Sequence, residues 1–262
     1  MAAQTTTKLQ ACAQLAADNA AAIVGSFENW SAYLATAARL YKLTFLEQLC
    51  VHVQRPGATA CADYSTWHDT MRRYIRRYAK SIPVIRIVDG QPVLRYLFDV
   101  ADTGPREGAL YPFLWENKDK YRSVITAALE SRFEVPCDDR GLAVQLATIA
   151  VRLAQKFWDD NHEQIVESAG GWPPDCTGET FVDAVAASVA YAVLSRCALH
   201  PEQMFVASDF ANVHKFDSFL MVLALGTAVS RCNENVLRCI ESAIKQYERD
   251  KQAAKPAPEA AA

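Results

Sequence analysis

The sequence predicts an α+β protein, in which helices and a small antiparallel sheet built on a β-hairpin are followed by an all-helical part. Three observations carry this. Trp30, Tyr33, Leu34, Ala37 and Tyr41 recur at helical spacing. Two β-rich runs, 82–88 and 93–98, are parted by Asp89-Gly90, and a glycine there accepts the positive φ of a tight hairpin turn. From residue 141 onward, 141–158, 180–199 and 218–249 show long apolar periodicity of helical type.

Each element has a local cause. Thr44 and Glu47 are spaced as a capping box for a second helix that runs to about Gln54 and is ended by Arg55-Pro56-Gly57. A short helix begins near Asp63 and carries Trp67. Pro83 and Pro92 lie close to the hairpin and mark strand ends or an exposed edge, since proline donates no ladder hydrogen bond. In the helical part Gly170-Gly171-Trp172-Pro173-Pro174 separates the first two helices, and the run from Ala198 to Glu202 separates the next. The expected organisation is a flexible N-terminus over 1–20, an α+β domain over 21–115, a helical domain over 120–250 and a disordered, Ala/Pro-rich tail over 251–262.

At 262 residues, with 51% apolar and 22% charged side chains, the composition is that of a globular chain rather than a disordered one. A chain of this length buries roughly three-quarters of its unfolded surface without cross-links. Residues 1–22 are Ala-rich but interrupted by Lys8, Asp18 and Asn19, without the basic cluster and apolar core of an export signal. The longest apolar stretch, 219–229, falls short of the about 20 residues a bilayer span needs. A soluble, cytoplasmic chain with no membrane partner is expected. None of the eight cysteines forms a C-x-x-C pair, so buried, reduced thiols are expected.

Charge is distributed unevenly. The net charge is -3, yet between residues 71 and 95 seven basic residues stand against Asp89 alone, so that this window carries +6. Its centre reads Met71-Arg72-Arg73-Tyr74-Ile75-Arg76-Arg77-Tyr78-Ala79-Lys80. A clustered positive face attracts phosphates and releases their counterions. Were 67–80 helical, Trp67, Met71, Tyr74 and Tyr78 would share a core face and Arg72, Arg73, Arg76 and Lys80 would lie opposite. Were 73–78 a strand, Tyr74, Arg76 and Tyr78 would form a mixed face able to stack bases and pair phosphates. The candidate nucleic-acid contacts are Arg72, Arg73, Arg76, Arg77 and Lys80, with Tyr74, Tyr78 and Trp67 as stacking platforms.

Between Asn29 and Thr103 the chain carries Asn29-Trp30, Phe45 to Leu49, the run Gln54-Arg55-Pro56-Gly57-Ala58-Thr59-Ala60, Tyr64, Trp67, Arg73-Tyr74-Ile75, and the run from Arg95 through Phe98-Asp99-Val100-Ala101-Asp102-Thr103. With these residues the stretch resembles the N-terminal domain of the ArdC anti-restriction family, in the version carried by large proteins of bacterial conjugative elements. The resemblance implies a compact α+β domain that binds single-stranded DNA with little sequence preference, in plasmid or transposon transfer and in protection of incoming DNA. The basic segment matches the family's basic stretch before the hairpin, with one departure: Tyr78 stands where the family has Gly.

In ArdC-like proteins the following domain is a zinc peptidase with H-E-x-x-H on a helix. Here His162-Glu163 is followed by Val166, so the second histidine ligand is missing. No phosphate loop, dinucleotide fingerprint or nucleophile elbow is present. Asp99 and Asp102 fit turn and capping chemistry, or pairing with Arg95 or the basic segment, better than paired catalysis. No catalytic residue, metal or cofactor is therefore assigned. The apolar run 219–226 reads as a buried helix, or as a surface for a homodimer or protein partner. The function expected is non-catalytic binding of single-stranded DNA. The other reading is an assembly module whose basic face docks an acidic protein.

Overall fold

The computed structural model describes residues 2–168 and 176–253. The fold is α+β. Among the described residues seven α-helices, α1 (Ala2–Val24), α2 (Phe27–Arg39), α3 (Phe45–Gln54), α4 (Arg122–Phe133), α5 (Leu142–Ser168), α6 (Gly178–Arg196) and α7 (Phe219–Ala253), accompany five strands. The strands are β1 (Cys61–Asp63), β2 (Arg73–Ile75), β3 (Ile82–Val88), β4 (Gln91–Asp99) and β5 (Thr103–Pro105). They form a three-stranded antiparallel sheet in the order β1-β4-β3 and a separate two-stranded ribbon, β2-β5.

The local signals act where they stand. The Thr44 N–H donates to Glu47 Oε2 at 3.0 Å, closing the capping box of α3. Asp89 (φ 50) and Gly90 (φ 75) make the two-residue turn between Val88 and Gln91, both in the left-handed region that this hairpin turn requires. Pro83 lies on the edge strand β3, and its carbonyl accepts from Gln54 Nε2 at 2.8 Å, so α3 covers that edge.

Residues 1–20 were expected to be flexible; Ala2–Val24 is instead a helix. Cys12, Ala16, Ala20 and Ile23 fall on one stripe and are buried, and alanine is the strongest helix former. At the other end α7 continues through residues 251–253, where a disordered tail was expected to begin, and residues 254–262 lie outside the described residues, as does the Gly170–Pro174 separator. The expected pair of domains shares a single continuous hydrophobic core that runs from Cys12 to Ile244. Trp30 of α2 is fully buried and donates its indole N–H to Ser188 Oγ of α6 at 2.9 Å. Tyr41 reaches Glu241 of α7 at 2.6 Å, and Ser230 of α7 donates to the Leu43 carbonyl at 3.2 Å. The apolar run at the start of α7 packs inward, with Met221, Val222 and Leu225 buried and Gly226 against the Phe45 ring. No helix of the described residues is long and apolar enough to cross a membrane.

Candidate nucleic-acid interface

The basic segment is a strand followed by a tight turn. In the β2-β5 ribbon Arg73 pairs with Pro105, Tyr74 with Gly104 and Ile75 with Thr103. Strand alternation sends Arg73 inward and Tyr74 outward. The Tyr74 ring lies across Gly104, where an added Cβ would stand 2.3 Å from a ring carbon, so the glycine opposite is what seats the ring. The chain then turns through Arg76–Ala79, closed by the Ala79 N–H on the Arg76 carbonyl at 3.1 Å. Tyr74, Arg76 and Tyr78 are all exposed; the segment is neither a helix over 67–80 nor a strand over 73–78, because the strand ends at Ile75 and the turn presents Arg76 and Tyr78.

Two expected contact residues are interior. Arg73 is 4% exposed; its Nε donates to Thr103 Oγ1 at 2.7 Å and its guanidinium lies 4.7 Å from the centroid of the Tyr111 ring. A buried guanidinium held by a hydroxyl and a ring face is a structural cation, and it does not meet a phosphate from that position. Trp67 is 2% exposed and donates its indole N–H to the Phe98 carbonyl at 2.9 Å, so it is core rather than a stacking platform.

The other residues are available. Tyr78 is 83% exposed, with the Arg77 guanidinium 4.8 Å from its ring centroid. Tyr78 has φ 67, the backbone region that favours glycine, at the position where the ArdC resemblance puts glycine. The path of the turn thus does not depend on that residue being glycine. Arg72, also left-handed at φ 52, is exposed, as are Arg76, Arg77 and Lys80. Arg76 is anchored through Nε to the Thr103 carbonyl at 3.0 Å, which leaves its Nη atoms outward.

These four cations belong to no ion pair among the described residues. The ion pairs next to them engage other arginines. Arg95 reaches Glu47 Oε1 at 2.5 Å and Asp63 Oδ2 at 2.8 Å, Arg86 stands 3.7 Å from Glu47, and Arg55 pairs with Asp102. Asp102 thus pairs with Arg55 and not with Arg95 or the basic segment. The Thr66 hydroxyl, with Arg95 and Ser65 in support, holds the Asp63 carboxyl well below the usual carboxylate range. Asp99 caps a turn, accepting from the Thr59, Ala60 and Ala101 N–H groups at 2.6, 3.1 and 2.9 Å.

The two runs that carry the family resemblance, 54–60 and 98–103, are therefore bonded to each other, through Arg55–Asp102, through Asp99, and through the Val100 N–H on the Ala60 carbonyl at 2.9 Å. Their residue types are explained by this interlock, and they hold the ribbon beside the sheet.

Sequence reasoning missed part of the surface. Tyr64 is exposed and stacks on His68 with ring centroids 5.3 Å apart, and Arg106 Nη1 lies 2.8 Å from His68 Nε2. Tyr111 and Phe113, on the segment that follows β5, are also exposed. Only Tyr64 carried a signal, as one of the resemblance residues; the others depend on where the chain passes after the ribbon.

Elsewhere, His162 packs its ring 5.7 Å from Trp158 on α5, one turn from Val166. Among the described residues no three His, Cys, Asp or Glu side chains are grouped as a metal ion requires. No disulfide joins the cysteines among the described residues, and burial pushes the thiols of Cys61, Cys197 and Cys232 up to about 12. Set against known protein families, curated proteins and solved structures, the chain matches none.

Proposed function

We propose that the chain binds single-stranded DNA with little sequence preference and without catalysing a reaction, in the role that the ArdC resemblance implies for a bacterial mobile element. One observation carries the reading. Arg72, Arg76, Arg77 and Lys80 are exposed without carboxylate partners and alternate with the exposed rings of Tyr74 and Tyr78. Unpaired cations meet phosphates, and exposed rings stack bases of any identity, which is the combination that non-specific single-strand binding uses. Unstacked bases reach such rings; the paired bases of a duplex do not.

The test is fluorescence anisotropy of a labelled thymidine oligonucleotide at low salt, beside a duplex of the same length and with polyglutamate as competitor. Preference for the single strand, weakening steeply with salt, is the expected result. Absence of binding at low salt refutes the reading. Displacement of the strand by polyglutamate at equal charge concentration would mean that the face recognises acidic charge alone, and would favour an acidic protein partner.

A further inference from the structure

A cavity of ≈ 400 Å³ lies between the sheet, the segment after β5 and α7. That is within the size range of small-molecule sites. Its lining holds two chemistries. Trp67, Met71, Tyr111, Phe113 and Leu114 are apolar and largely aromatic. Arg39, Lys42, Arg196 and Lys245 line it too, the Lys245 ammonium 5.1 Å from the centroid of the Phe113 ring, with Glu241 as the one carboxylate of the lining, a net charge of +3.

Glu241 does not neutralise this group. It is 4% exposed and accepts from Tyr41, Lys42 and Lys245 at 2.6, 2.8 and 2.6 Å. Two ammonium groups share one carboxylate, and each has three N–H donors, so donors remain for a second anion. Arg196 bonds neutral groups, the Trp115 ring at 3.8 Å and the Trp115 carbonyl at 2.7 Å, with the Glu241 and Glu116 charges near it but in no ion pair with it among the described residues. Arg39 donates to the Ala58 carbonyl at 3.2 Å, to the Pro56 carbonyl and to Thr36 Oγ1 at 3.4 Å, with the Asp99 charge near but not in an ion pair with it. An apolar ligand here would desolvate unpaired cations, and a bare inorganic anion would leave the aromatic rings wet. An organic anion with a flat apolar body satisfies both.

We propose that this cavity binds a nucleoside monophosphate, its phosphate toward Lys42 and Lys245 and its base against Tyr111 and Phe113. The choice of a nucleotide over another aromatic anion rests on the proposed strand binding, because the Tyr111 ring that lines the cavity also covers Arg73 of the ribbon. The anion site itself does not depend on that reading. The nucleotide is either free or the phosphorylated end of a strand.

Calorimetric titration of the full chain with thymidine 5′-monophosphate tests this, with thymidine and inorganic phosphate as separate probes. The expected result is saturable binding of one nucleotide per chain, with each half-ligand at least about tenfold weaker. Lys245→Ala is expected to weaken the nucleotide about tenfold and to lower stability, since it removes a partner of the buried Glu241, while Phe113→Ala weakens the nucleotide roughly fivefold with an unchanged unfolding curve. Arg76→Ala/Arg77→Ala should leave nucleotide binding intact while weakening the oligonucleotide, so the cavity and the strand surface fail or stand separately. A thymidine decamer that binds more tightly with a 5′-phosphate than with a 5′-hydroxyl identifies the strand end as the ligand; equal decamer affinities beside nucleotide binding identify the free nucleotide. No saturable binding at millimolar nucleotide, equal affinity for thymidine, or indifference to both folded variants overturns the proposal.

Discussion

The three-stranded sheet and the two-stranded ribbon draw their arginines from the same short window of sequence and treat them in opposite ways. On the sheet, Arg86 and Arg95 meet Glu47, which is fully buried, and Arg95 also meets Asp63. On the ribbon and its turn, Arg72, Arg76, Arg77 and Lys80 face solvent, and Arg73 is absorbed into the interior. A count of charges along the chain treats the two sets alike. What separates them is whether a carboxylate from a distant segment is folded against them. Glu47 stands 48 positions before Arg95 and meets it only because α3 packs on the sheet. On the proposed function, the binding footprint is what remains after internal pairing, not the local excess of positive charge.

That contrast can be broken from either side. The largest effect on stability is expected from the paired side. Glu47→Gln removes the buried partner of Arg95, which keeps Asp63, and weakens the cap of α3, and should cost about 1–2 kcal/mol in urea denaturation through lost charge-assisted hydrogen bonds. Strand binding by the folded fraction should be unchanged. From the unpaired side, replacing Arg72, Arg76, Arg77 and Lys80 together by alanine should lower oligonucleotide affinity about 100-fold or more at low salt, with stability within about 1 kcal/mol, because exposed cations without partners contribute little to folding.

The same contrast appears against pH. Asp63, bonded by the Thr66 hydroxyl, is held below its ordinary value. Burial raises the pKa of Glu241, but hydrogen bonds from Lys245, Lys42 and Tyr41 outweigh that and hold it at about 2. A carboxylate depressed in the folded state contributes stability above its unfolded pKa and loses it as pH falls through the folded one. Burial, with the Arg39 charge nearby, also holds the His52 imidazole below its ordinary value, so stability measured by urea titration should decline gently as pH falls below about 6.5, where the unfolded chain protonates His52 first, and more steeply between about pH 4.5 and 2. The smallest change is expected from Tyr78→Gly. Relief of the left-handed tyrosine, worth about 1 kcal/mol, is offset by the 0.5–1 kcal/mol of chain entropy that glycine costs. Melting should scarcely move, while loss of the ring weakens single-strand binding by about fivefold.

Features set by near neighbours were legible in the sequence. The Asp89-Gly90 hairpin, the capping box of Thr44 and Glu47, the stop after Gln54 and the helices α5, α6 and α7 follow from spacing within a few residues, whereas α4, Arg122–Phe133, was not read. The N-terminal helix was missed because its buried stripe is made of Cys12, Ala16 and Ala20, small residues that carry little hydrophobic signal. Trp67 and Arg73 were misplaced for another reason. Their surroundings come from β4, β5 and the segment carrying Tyr111, and an aromatic or a cation reads the same in sequence whether covered or bare. The shared core was illegible too, because Trp30 meets Ser188 only through the packing of α2 on α6. The surface around Tyr64, His68 and Arg106 and the cavity beside Tyr111 depend on the same long-range placement.

The central claim, that unpaired rather than merely clustered cations make the strand interface, is tested most directly by one matched pair of variants. Arg77→Ala removes an unpaired guanidinium; Arg86→Ala removes one from the same window that is paired with Glu47. The salt dependence of oligonucleotide anisotropy is measured for both beside the unaltered chain. The slope of log affinity against log salt should become shallower by about 0.7 for Arg77→Ala, the value of one single-strand phosphate contact, and stay unchanged for Arg86→Ala. Equal loss of slope in the two variants would contradict the account, as would a slope that neither variant alters.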